Sequence, residues 1–382
     1  MRTATTPKVV SAAAEPVLCV AFELSASEWK MAFSPGLGQQ PRHRVVRAGE
    51  LGKVQEEIAR AKARFRLPAD ARVSSCYEAG REGFWVHREL EKLGIENLVV
   101  DSASIEVNRR ARRAKTDRVD AGKLVGMLLR WESGDKKVFR VVRVPTVEEE
   151  DRRQLNRELD TAREDRGRVT NRIKSLLFAQ GLRLEKVKDL PTLLDPKRLG
   201  GALPEMLRAR LEREWRHVLL LEETIRELEA ERRRLLRTAQ DAGTECVRKL
   251  LLLGSIGVNS AWLFGMEFFS WRQFQNRRQI GGLAGLTPTP YQSGSESREQ
   301  GICKAGNRWI RGIAIEIAWA WLRYQPNSEL SRWYRERFDR GSKRLRKIGI
   351  VALARKLLIE LWKYLQTGTP PAGAVLKTRV VY

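Results

Sequence analysis

Short apolar runs separated by turn residues dominate the first hundred residues. Val17 to Leu24 is almost wholly apolar, which is typical of a buried strand. Two further short strands are predicted over 29–33 and 44–47, with a Pro/Gly-rich turn between them at 34–41. Three consecutive strands of this kind favour a hairpin order.

After these strands the pattern alternates between helix and strand. Apolar residues at helical spacing predict helices over 50–65 and 82–93, and apolar runs predict strands over 72–77 and 97–100. A meander of strands followed by strands that alternate with helices predicts a mixed α/β sheet with helices on its faces.

The middle of the chain has a heptad pattern. Mostly apolar residues recur at alternating steps of three and four in two stretches, and Pro and Gly residues at 191–204 separate the stretches. The pattern predicts two long helices that pair with each other in one monomer or with a second subunit, and it leaves both arrangements open. The seam positions are Leu155, Leu159, Ala162, Arg166, Val169, Ile173 and Leu176, then Leu211, Val218, Leu221, Ile225, Leu228, Arg232 and Leu235.

The last third of the chain is predicted to be mostly helical. Apolar spacing predicts helices over 260–267, 307–324 and 345–364. A Gly/Pro/Ser-rich segment at 281–306 lies among them and predicts a long loop. Loops of this length carry function more often than packing.

Composition narrows the possible partners. The chain has 382 residues, with 72 Lys and Arg against 47 Asp and Glu, which leaves a formal net charge of +25. A basic surface of this size most often faces nucleic-acid phosphate. No apolar run approaches the length of about 18 residues that a membrane span needs, and the N-terminus lacks the apolar segment of a signal peptide. We therefore expect a cytoplasmic protein with no membrane association.

Several kinds of chemistry find no support in the sequence. The four cysteines are far apart, no C-x-x-C pair occurs, and there are three histidines, which argues against a disulfide framework or a zinc site. No phosphate-binding loop of the G-x-x-x-x-G-K-[ST] type is present, so ATP chemistry is not indicated.

Four carboxylates form the first candidate site. Glu23 and Glu78 lie at the ends of predicted strands, and Asp117 and Asp120 are three residues apart at the start of a predicted helix, on one of its faces. If the strands are neighbours in the sheet, the four side chains can converge and hold Mg²⁺ beside a phosphodiester. The alternative is that each carboxylate forms an ordinary solvated ion pair or favours a helix N-terminus.

Basic residues precede this helix, and a serine-containing segment lies at 288–298 in the last third of the chain. A polyanion passing the carboxylates would account for the cations, although a solvated helix face would also contain them. Serines beside glycine are ordinary loop residues, so a nucleophile among them needs further support. The candidate nucleic-acid contacts are Arg109, Arg110, Arg112, Arg113, Lys115 and Arg118 at the first site, and Lys304, Arg308 and Arg311 near the serines.

Motifs in both halves resemble one known group. Residues 115–121, Lys-Thr-Asp-Arg-Val-Asp-Ala, are similar to the K-T-D-x-x-D-A signature of insertion-sequence transposases of the IS110 group, which have a DEDD carboxylate domain and a C-terminal serine domain. Residues 77–80 resemble the group's second-acid motif. Further blocks at 285–288, 292–294, 302–307 and 354–358 follow in the same order, so the resemblance covers most of the chain.

The resemblance implies a specific architecture. It implies a RuvC-like domain with an RNase H-like α/β fold at 16–147, a coiled-coil region at 148–245 and a mostly helical transposase domain at 246–382. The small-residue, Ala/Thr-rich composition of residues 1–15 predicts a disordered leader before them. It implies a two-metal Mg²⁺ site at Glu23, Glu78, Asp117 and Asp120, with Ser293 as the nucleophile that forms a covalent phosphoserine link to DNA.

The resemblance also implies partners. A structured bridge RNA would pair with donor and target DNA, so the protein would hold backbones and perform the exchange. Homo-oligomers, dimers or tetramers, are expected, with the carboxylates of one chain working beside the serine domain of another. The protein is expected to be bacterial, to lie in the cytoplasm and to associate with the nucleoid.

Two positions depart from the group's pattern. The first acid is normally Asp, whereas Glu23 stands here, and its extra methylene moves a ligand by about 1 Å, a displacement that can lower catalysis strongly. Cys303 stands where the group usually has Ser.

Three functions follow, in order of preference. The first is a site-specific DNA recombinase that uses serine attack with metal-binding carboxylates. The second is a metal-dependent nuclease or junction resolvase in which water is the nucleophile. The third is a basic, coiled-coil nucleic-acid scaffold without enzymatic activity, and composition alone leaves the second and third nearly level.

Overall fold

The computed structural model describes residues 15–105, 117–195, 203–293, 296–304 and 306–378, with backbone alone at 117–120, 290–293 and 296–300. The chain divides into two compact units at residue 144. The N-terminal unit is residues 1–144 and the C-terminal unit is residues 145–382. The four-part division expected from the sequence stays a prediction.

A five-stranded mixed sheet forms the centre of the N-terminal unit. Its order is β3-β2-β1-β4-β5, with β1, β2 and β3 antiparallel and β1, β4 and β5 parallel. The mixed α/β sheet predicted from the sequence is confirmed. The strands are β1 (Val17–Leu24), β2 (Glu28–Ser34), β3 (Arg42–Arg47), β4 (Arg72–Glu78) and β5 (Glu96–Val100).

Helices cover both faces of this sheet. Helices α1 (Leu51–Arg64) and α2 (Trp85–Lys92) pack on one face, against alternate strand residues such as Val20. Helix α3 (Asp117–Glu132) packs on the other face, against the intervening residues such as Ala21. Because side chains alternate along a strand, the two sets form separate cores on the two sides of the sheet.

Two long helices form a hairpin at the start of the C-terminal unit. They are α5 (Gln154–Phe178) and α7 (Glu205–Thr238), and the short helices α4 (Val147–Asp151) and α6 (Leu190–Leu193) precede and follow α5. Most of the apolar heptad residues of both helices pack against each other in this one chain. Leu155 and Leu235 instead pack against the core of the helical body, and Arg166 is exposed. The sequence left open whether the heptad helices pair within one chain or between two chains. In this structure they pair within one chain.

Ion pairs fix the direction of the hairpin. The Arg163 guanidinium lies 2.6 Å from the Glu229 carboxylate, and the Arg172 guanidinium lies 2.7 Å from the Glu214 carboxylate. Since the partner number falls as the number along α5 rises, α5 and α7 are antiparallel.

The rest of the C-terminal unit is a helical body around one large apolar core. Its longest helices, Arg308–Tyr324 and Lys343–Thr367, pack against each other, and Ala314 and Leu357 are buried in the core that they share. The helices are α8 (Ala242–Leu251), α9 (Val258–Trp262), α10 (Arg277–Leu283), α11 (Arg308–Tyr324), α12 (Glu329–Tyr334) and α13 (Lys343–Thr367), with π-helical turns at Leu263–Phe269 and Arg335–Asp339.

The expected long loop at 281–306 is wrong for most of its length. Helix α10 continues to Leu283, and two antiparallel strands follow, β6 (Pro288–Ser293) and β7 (Glu296–Ile302). Polar side chains leave the backbone N–H and C=O groups free to pair across strands, and both strands of a two-stranded sheet are edge strands, where Pro288 and Pro290 are tolerated. Across the described part of the chain, no helix has the length and apolar character that crossing a membrane requires.

Candidate active site

The two predicted strand-end carboxylates lie on neighbouring strands. Strands β1 and β4 are parallel, with Phe22 paired to Tyr77, so the next residues, Glu23 and Glu78, are side by side at the carboxyl end of the sheet. Glu23 is half-buried and Glu78 is exposed. Strand alternation places both positions on the face that α3 covers, as it does for Ala21.

Helix α3 runs antiparallel to β4. Its last residue, Glu132, accepts a 2.7 Å hydrogen bond from the Ser74 hydroxyl and a 2.5 Å one from the Arg72 guanidinium, both near the start of β4. Farther along the strand, the Cys76 thiol lies 4.0 Å from the carbonyl oxygen of Leu124. The first residues of α3 therefore lie toward the end of β4 that contains Glu78.

Asp117 and Asp120 belong to this first part of α3. Asp120 precedes Leu124 by one helical turn, a rise of about 6 Å, and Glu78 follows Cys76 by about 7 Å along β4. Backbone position thus brings Asp120 to the level of Glu78, and Asp117 begins the same helix. Their side chains lie outside the description, as does the whole of Arg109 to Lys115; Arg118 is described by its backbone alone.

Ionisation at the far end of α3 stabilises this placement. Burial raises the pKa of the Glu132 carboxyl, but the hydrogen bonds from Ser74 and Arg72 outweigh burial and bring that pKa below its ordinary value. Glu132 is therefore charged at neutral pH and anchors the C-terminal end of the helix to the start of β4.

One residue beside the carboxylates was missed by the sequence analysis. Lys30 in β2 is the antiparallel partner of Glu23 in β1, so the two residues share a face of the sheet. This places a cation next to the carboxylates. Only the strand register reveals it, because a single lysine in a predicted strand carries no signal of its own.

Ser293 lies at the end of β6. In the backbone register it pairs with Glu296 at the start of β7, so it is next to the turn of the hairpin. The Ser293 side chain lies outside the description, as do the side chains of its neighbours in both strands from 290 to 300. The structure thus gives the serine a place at a hairpin tip.

The base of this hairpin is tightly packed. A Cβ atom at Gly306 would lie 2.5 Å from both the Gly285 nitrogen and the Leu283 oxygen, which no side chain can do. Gly285 itself has a φ of 66°, a conformation that favours glycine. The two glycines let the segments before β6 and after β7 touch, and the Asn307 amide donates a 2.8 Å hydrogen bond to the Leu283 oxygen.

The three cations predicted near the serine have different surroundings. The Arg311 guanidinium donates a 3.0 Å hydrogen bond to the backbone oxygen of Lys304, so it holds the base of the hairpin. Lys304 is exposed and has a positive φ of 58°. Arg308 is exposed, and its guanidinium lies 5.4 Å from the centre of the Trp309 ring.

Glu23 and Glu78 are the two members of the carboxylate set whose side chains the structure describes. Among residues with described side chains, no three His, Cys, Asp or Glu side chains lie close enough to hold an ion. Asp117 and Asp120 are outside that set. The four-carboxylate site therefore stays a prediction, and its supporting geometry is the backbone placement given above.

Comparisons with known proteins define the class. A family model described as transposase IS116/IS110/IS902 family matches residues 247–335. A Sinorhizobium fredii protein, y4rJ, that is named as a transposase is 42% identical over 374 residues, which cover 94% of each chain. The transposase of the Coxiella burnetii insertion sequence IS1111A is 29% identical over 259 residues, 66% of each chain.

These matches identify a transposase, an enzyme class that cleaves and rejoins DNA. The family match covers the hairpin with Ser293 and the helices around it, and the first relative is similar along nearly the whole chain. The chain belongs to the IS116/IS110/IS902 family of insertion-sequence transposases.

Proposed function

We propose that this transposase is an RNA-guided DNA recombinase in which the Ser293 hydroxyl attacks a DNA phosphodiester with the assistance of Mg²⁺-binding carboxylates. The observation that carries the proposal is the position of Glu23 and Glu78 at the ends of neighbouring parallel strands, under the helix that begins at Asp117. Residues from three elements that are distant in sequence thus lie at one end of one sheet.

The N-terminal unit is proposed to have an RNase H-like, RuvC-like fold. Support comes from the antiparallel meander β1-β2-β3, the two parallel strands β4 and β5 added beside β1, and helices on both faces. In such a sheet the carboxyl ends of the parallel strands are the natural place for a site.

The donor chemistry of the four carboxylates fits Mg²⁺. Hard oxygen ligands without cysteine or histidine suit Mg²⁺ far better than zinc. Glu23, Glu78, Asp117 and Asp120 would hold the ions, which when bound polarise the scissile phosphate and stabilise charge on the attacking and leaving oxygens. Lys30, opposite Glu23, would balance part of the carboxylate charge when no substrate is bound.

Ser293 is proposed to form the covalent intermediate. Its oxygen bonds to phosphorus as the bond from phosphorus to a deoxyribose oxygen breaks. The serine hydroxyl proton passes to water, and the departing deoxyribose oxygen takes up a proton to become a hydroxyl, so one phosphodiester replaces another. Attack on phosphorus requires the serine to reach out of the protein, and a hairpin tip allows this. The packed base at Gly285 and Gly306 would keep the tip in a fixed position.

Basic residues are proposed to hold the nucleic acids. The segment from Arg109 to Lys115, with Arg118, would line the phosphate path to the carboxylates, and exposed Lys304 and Arg308 would contact DNA near Ser293. Arg311 would act indirectly by holding the hairpin base. The net charge of +25 is large enough for a guide RNA in addition to donor and target DNA. We also propose that the protein is a homo-oligomer and acts in the bacterial cytoplasm.

Metal binding can be tested apart from activity. Electron paramagnetic resonance measures the binding of Mn²⁺ to the purified chain. We expect Mn²⁺ to bind the parent protein, and to bind the Asp117→Asn and Glu78→Gln variants at least tenfold more weakly. The matched control is Glu89→Gln on α2, whose carboxylate pairs with Lys92 on the surface. Equal Mn²⁺ binding by all three variants would mean that Asp117 and Glu78 do not bind the metal.

Recombination assays separate the serine mechanism from hydrolysis by water. A recombinase that uses Ser293 loses strand exchange after Ser293→Ala, whereas a nuclease that uses water keeps cleavage in that variant and loses it after Asp117→Asn. Guide RNA is tested by purifying the protein with its native insertion sequence and sequencing the bound RNA. Enrichment of one structured RNA from the element is expected, and random RNA would contradict guidance.

A further inference from the structure

A large basic cavity lies beside the hairpin, inside the C-terminal unit. Its volume is about 1090 Å³, and its walls come from α10, α12, α13 and the base of β6 and β7. Binding pockets for single small molecules usually measure about 300–1,000 Å³, so this cavity has room for more than one small group.

Cations dominate the rim of the cavity. Eight of the described lining residues are Lys or Arg and one is Glu, so the charge is strongly positive. Arg277, Arg278, Lys343 and Lys347 are exposed. The single carboxylate, Glu360, lies 2.8 Å from the Lys363 ammonium, which leaves the others to attract an anion.

The contacts of two cations show how the rim is held. The Lys356 ammonium lies 4.7 Å from the centre of the Trp333 ring, a cation–π contact that directs it along the cavity wall. Arg355 packs over Gly281, where a Cβ atom would lie 3.0 Å from the Arg355 Nε. These cations are therefore held by apolar and backbone neighbours instead of carboxylates.

The floor of the cavity is apolar. Leu286, Ile302, Val351 and Ile359 contribute to it, and the side chain of Ile348 is 52% exposed. A free anion or a duplex would leave this surface in contact with water, because a duplex presents phosphates outward and keeps its base faces stacked. A single strand offers both charged phosphates and free base faces, which pack on apolar side chains.

We propose that this cavity binds an unpaired segment of DNA, with phosphates on the basic rim and bases on the apolar floor. The inference deepens the proposed function and rests on it for the choice of DNA, because Pro288 and Ile302 of the Ser293 hairpin line the cavity. The segment would be the strand opened next to the cleaved phosphodiester.

The test measures binding without chemistry. Full-length Ser293→Ala protein in EDTA is titrated into a labelled single-stranded DNA oligonucleotide, its duplex, its RNA counterpart and a version with abasic sites, and anisotropy is followed at several salt concentrations. The variants are Lys343→Gln with Lys347→Gln, and Ile348→Asn, all at exposed positions. The matched control is Lys186→Gln with Lys188→Gln, two exposed lysines in the loop between α5 and α7.

The double lysine variant should bind single-stranded DNA about tenfold more weakly. The slope of the logarithm of affinity against the logarithm of salt concentration should fall in magnitude by about 1.4, because two phosphate contacts are lost. Ile348→Asn should lose about fivefold for the normal oligonucleotide and nothing for the abasic one. Three results would each overturn the proposal: an equal loss of affinity in the control pair, an equal loss of affinity for the duplex, or a larger loss of affinity for RNA than for DNA. Failure of the serine mechanism would appear in strand exchange and leave these affinities unchanged.

Discussion

The Glu132 carboxylate, at the end of α3, accepts a 2.7 Å hydrogen bond from the Ser74 hydroxyl in β4. This bond joins the last residue of a helix to the beginning of a strand, so it sets the direction in which the helix crosses the sheet. Because α3 is antiparallel to β4, its first turn, with Asp117 and Asp120, lies toward the end of the sheet that contains Glu78.

Removing the Glu132 charge should destabilise the N-terminal unit. We expect Glu132→Gln to lower the free energy of unfolding by about 2 kcal/mol, because hydrogen bonds to a charged group contribute about 1.5–3 kcal/mol. Urea denaturation followed by circular dichroism measures the change. The matched control is Glu56→Gln on α1, whose ion pairs are exposed and should contribute less than about 1 kcal/mol.

The same carboxylate predicts a pH dependence. Its pKa is lower in the folded protein than its ordinary value of 4.5, so its stabilisation is complete above that value and is lost as the pH falls through the folded pKa. The difference in unfolding free energy between parent and Glu132→Gln should therefore shrink as the medium is acidified below about pH 4.5. A difference that grows on acidification would contradict the assigned interaction.

An ion-pair cluster around the buried Glu267 fastens the helical hairpin to the helical body. Glu267, 4% exposed, accepts hydrogen bonds of 2.6 Å and 3.0 Å from Arg157, and the guanidinium of Arg153 lies 3.9 Å away. Burial lowers the pKa of Arg153, but that group stays charged near neutral pH. Removing Glu267 would leave this cation buried without its partner.

We therefore expect Glu267→Gln to lower the free energy of unfolding of the C-terminal unit by about 3–5 kcal/mol. Thermal denaturation and urea titration both report the loss. Glu227→Gln, an exposed position on α7, is the matched control and should change stability by less than about 0.5 kcal/mol. Similar stability of both variants would mean that the pair contributes little to the hairpin's attachment.

Two glycines of the C-terminal unit should respond in opposite ways to alanine. Gly306→Ala puts a methyl group against backbone atoms at 2.5 Å and should cost about 1–3 kcal/mol while displacing the Ser293 hairpin. Gly312 in α11 has no atom within 4 Å of the position that a methyl group would take, so Gly312→Ala should be neutral or stabilise by up to about 1 kcal/mol. Equal behaviour in stability and strand exchange would mean that the hairpin base is not closely packed.

The heptad seam should behave as an intramolecular interface. Leu221 and Leu228 pack in the cores between α5 and α7, so replacing both with Glu should lower the melting midpoint by the same amount at every protein concentration. Leu219 and Leu220, which are 45% and 60% exposed, are the matched control pair and should tolerate Glu. A loss that varies with concentration would mean that the seam pairs between subunits.

Strand and helix positions in the N-terminal unit were predictable because their apolar patterns are local. The expected strand at Val17 to Leu24 coincides with β1, and the expected helix over 50–65 contains α1. Helix α10 and the hairpin of β6 and β7 were missed, since prolines, glycines and polar residues give them no periodic signal.

Contacts between distant segments could not be predicted. A heptad seam has the same sequence whether the covering helix is its own chain's or a partner's, so only the structure pairs α5 with α7. The basic cavity brings together Arg277 and Lys343, which are far apart in sequence. The dense cations between 335 and 347 indicate a basic surface in that region, but not the residues that complete it. The backbone register that puts Lys30 opposite Glu23 likewise follows from strand pairing.

The central claim is tested most directly by mapping the covalent protein–DNA species. The protein, with its co-purified RNA, is incubated with DNA containing the insertion-sequence ends, and the trapped adduct is digested and examined by mass spectrometry. We predict a phosphodiester-linked nucleotide on Ser293, no adduct after Ser293→Ala, and an unchanged yield after Ser297→Ala. DNA cleavage without any adduct, or an adduct that persists after Ser293→Ala, would contradict the account.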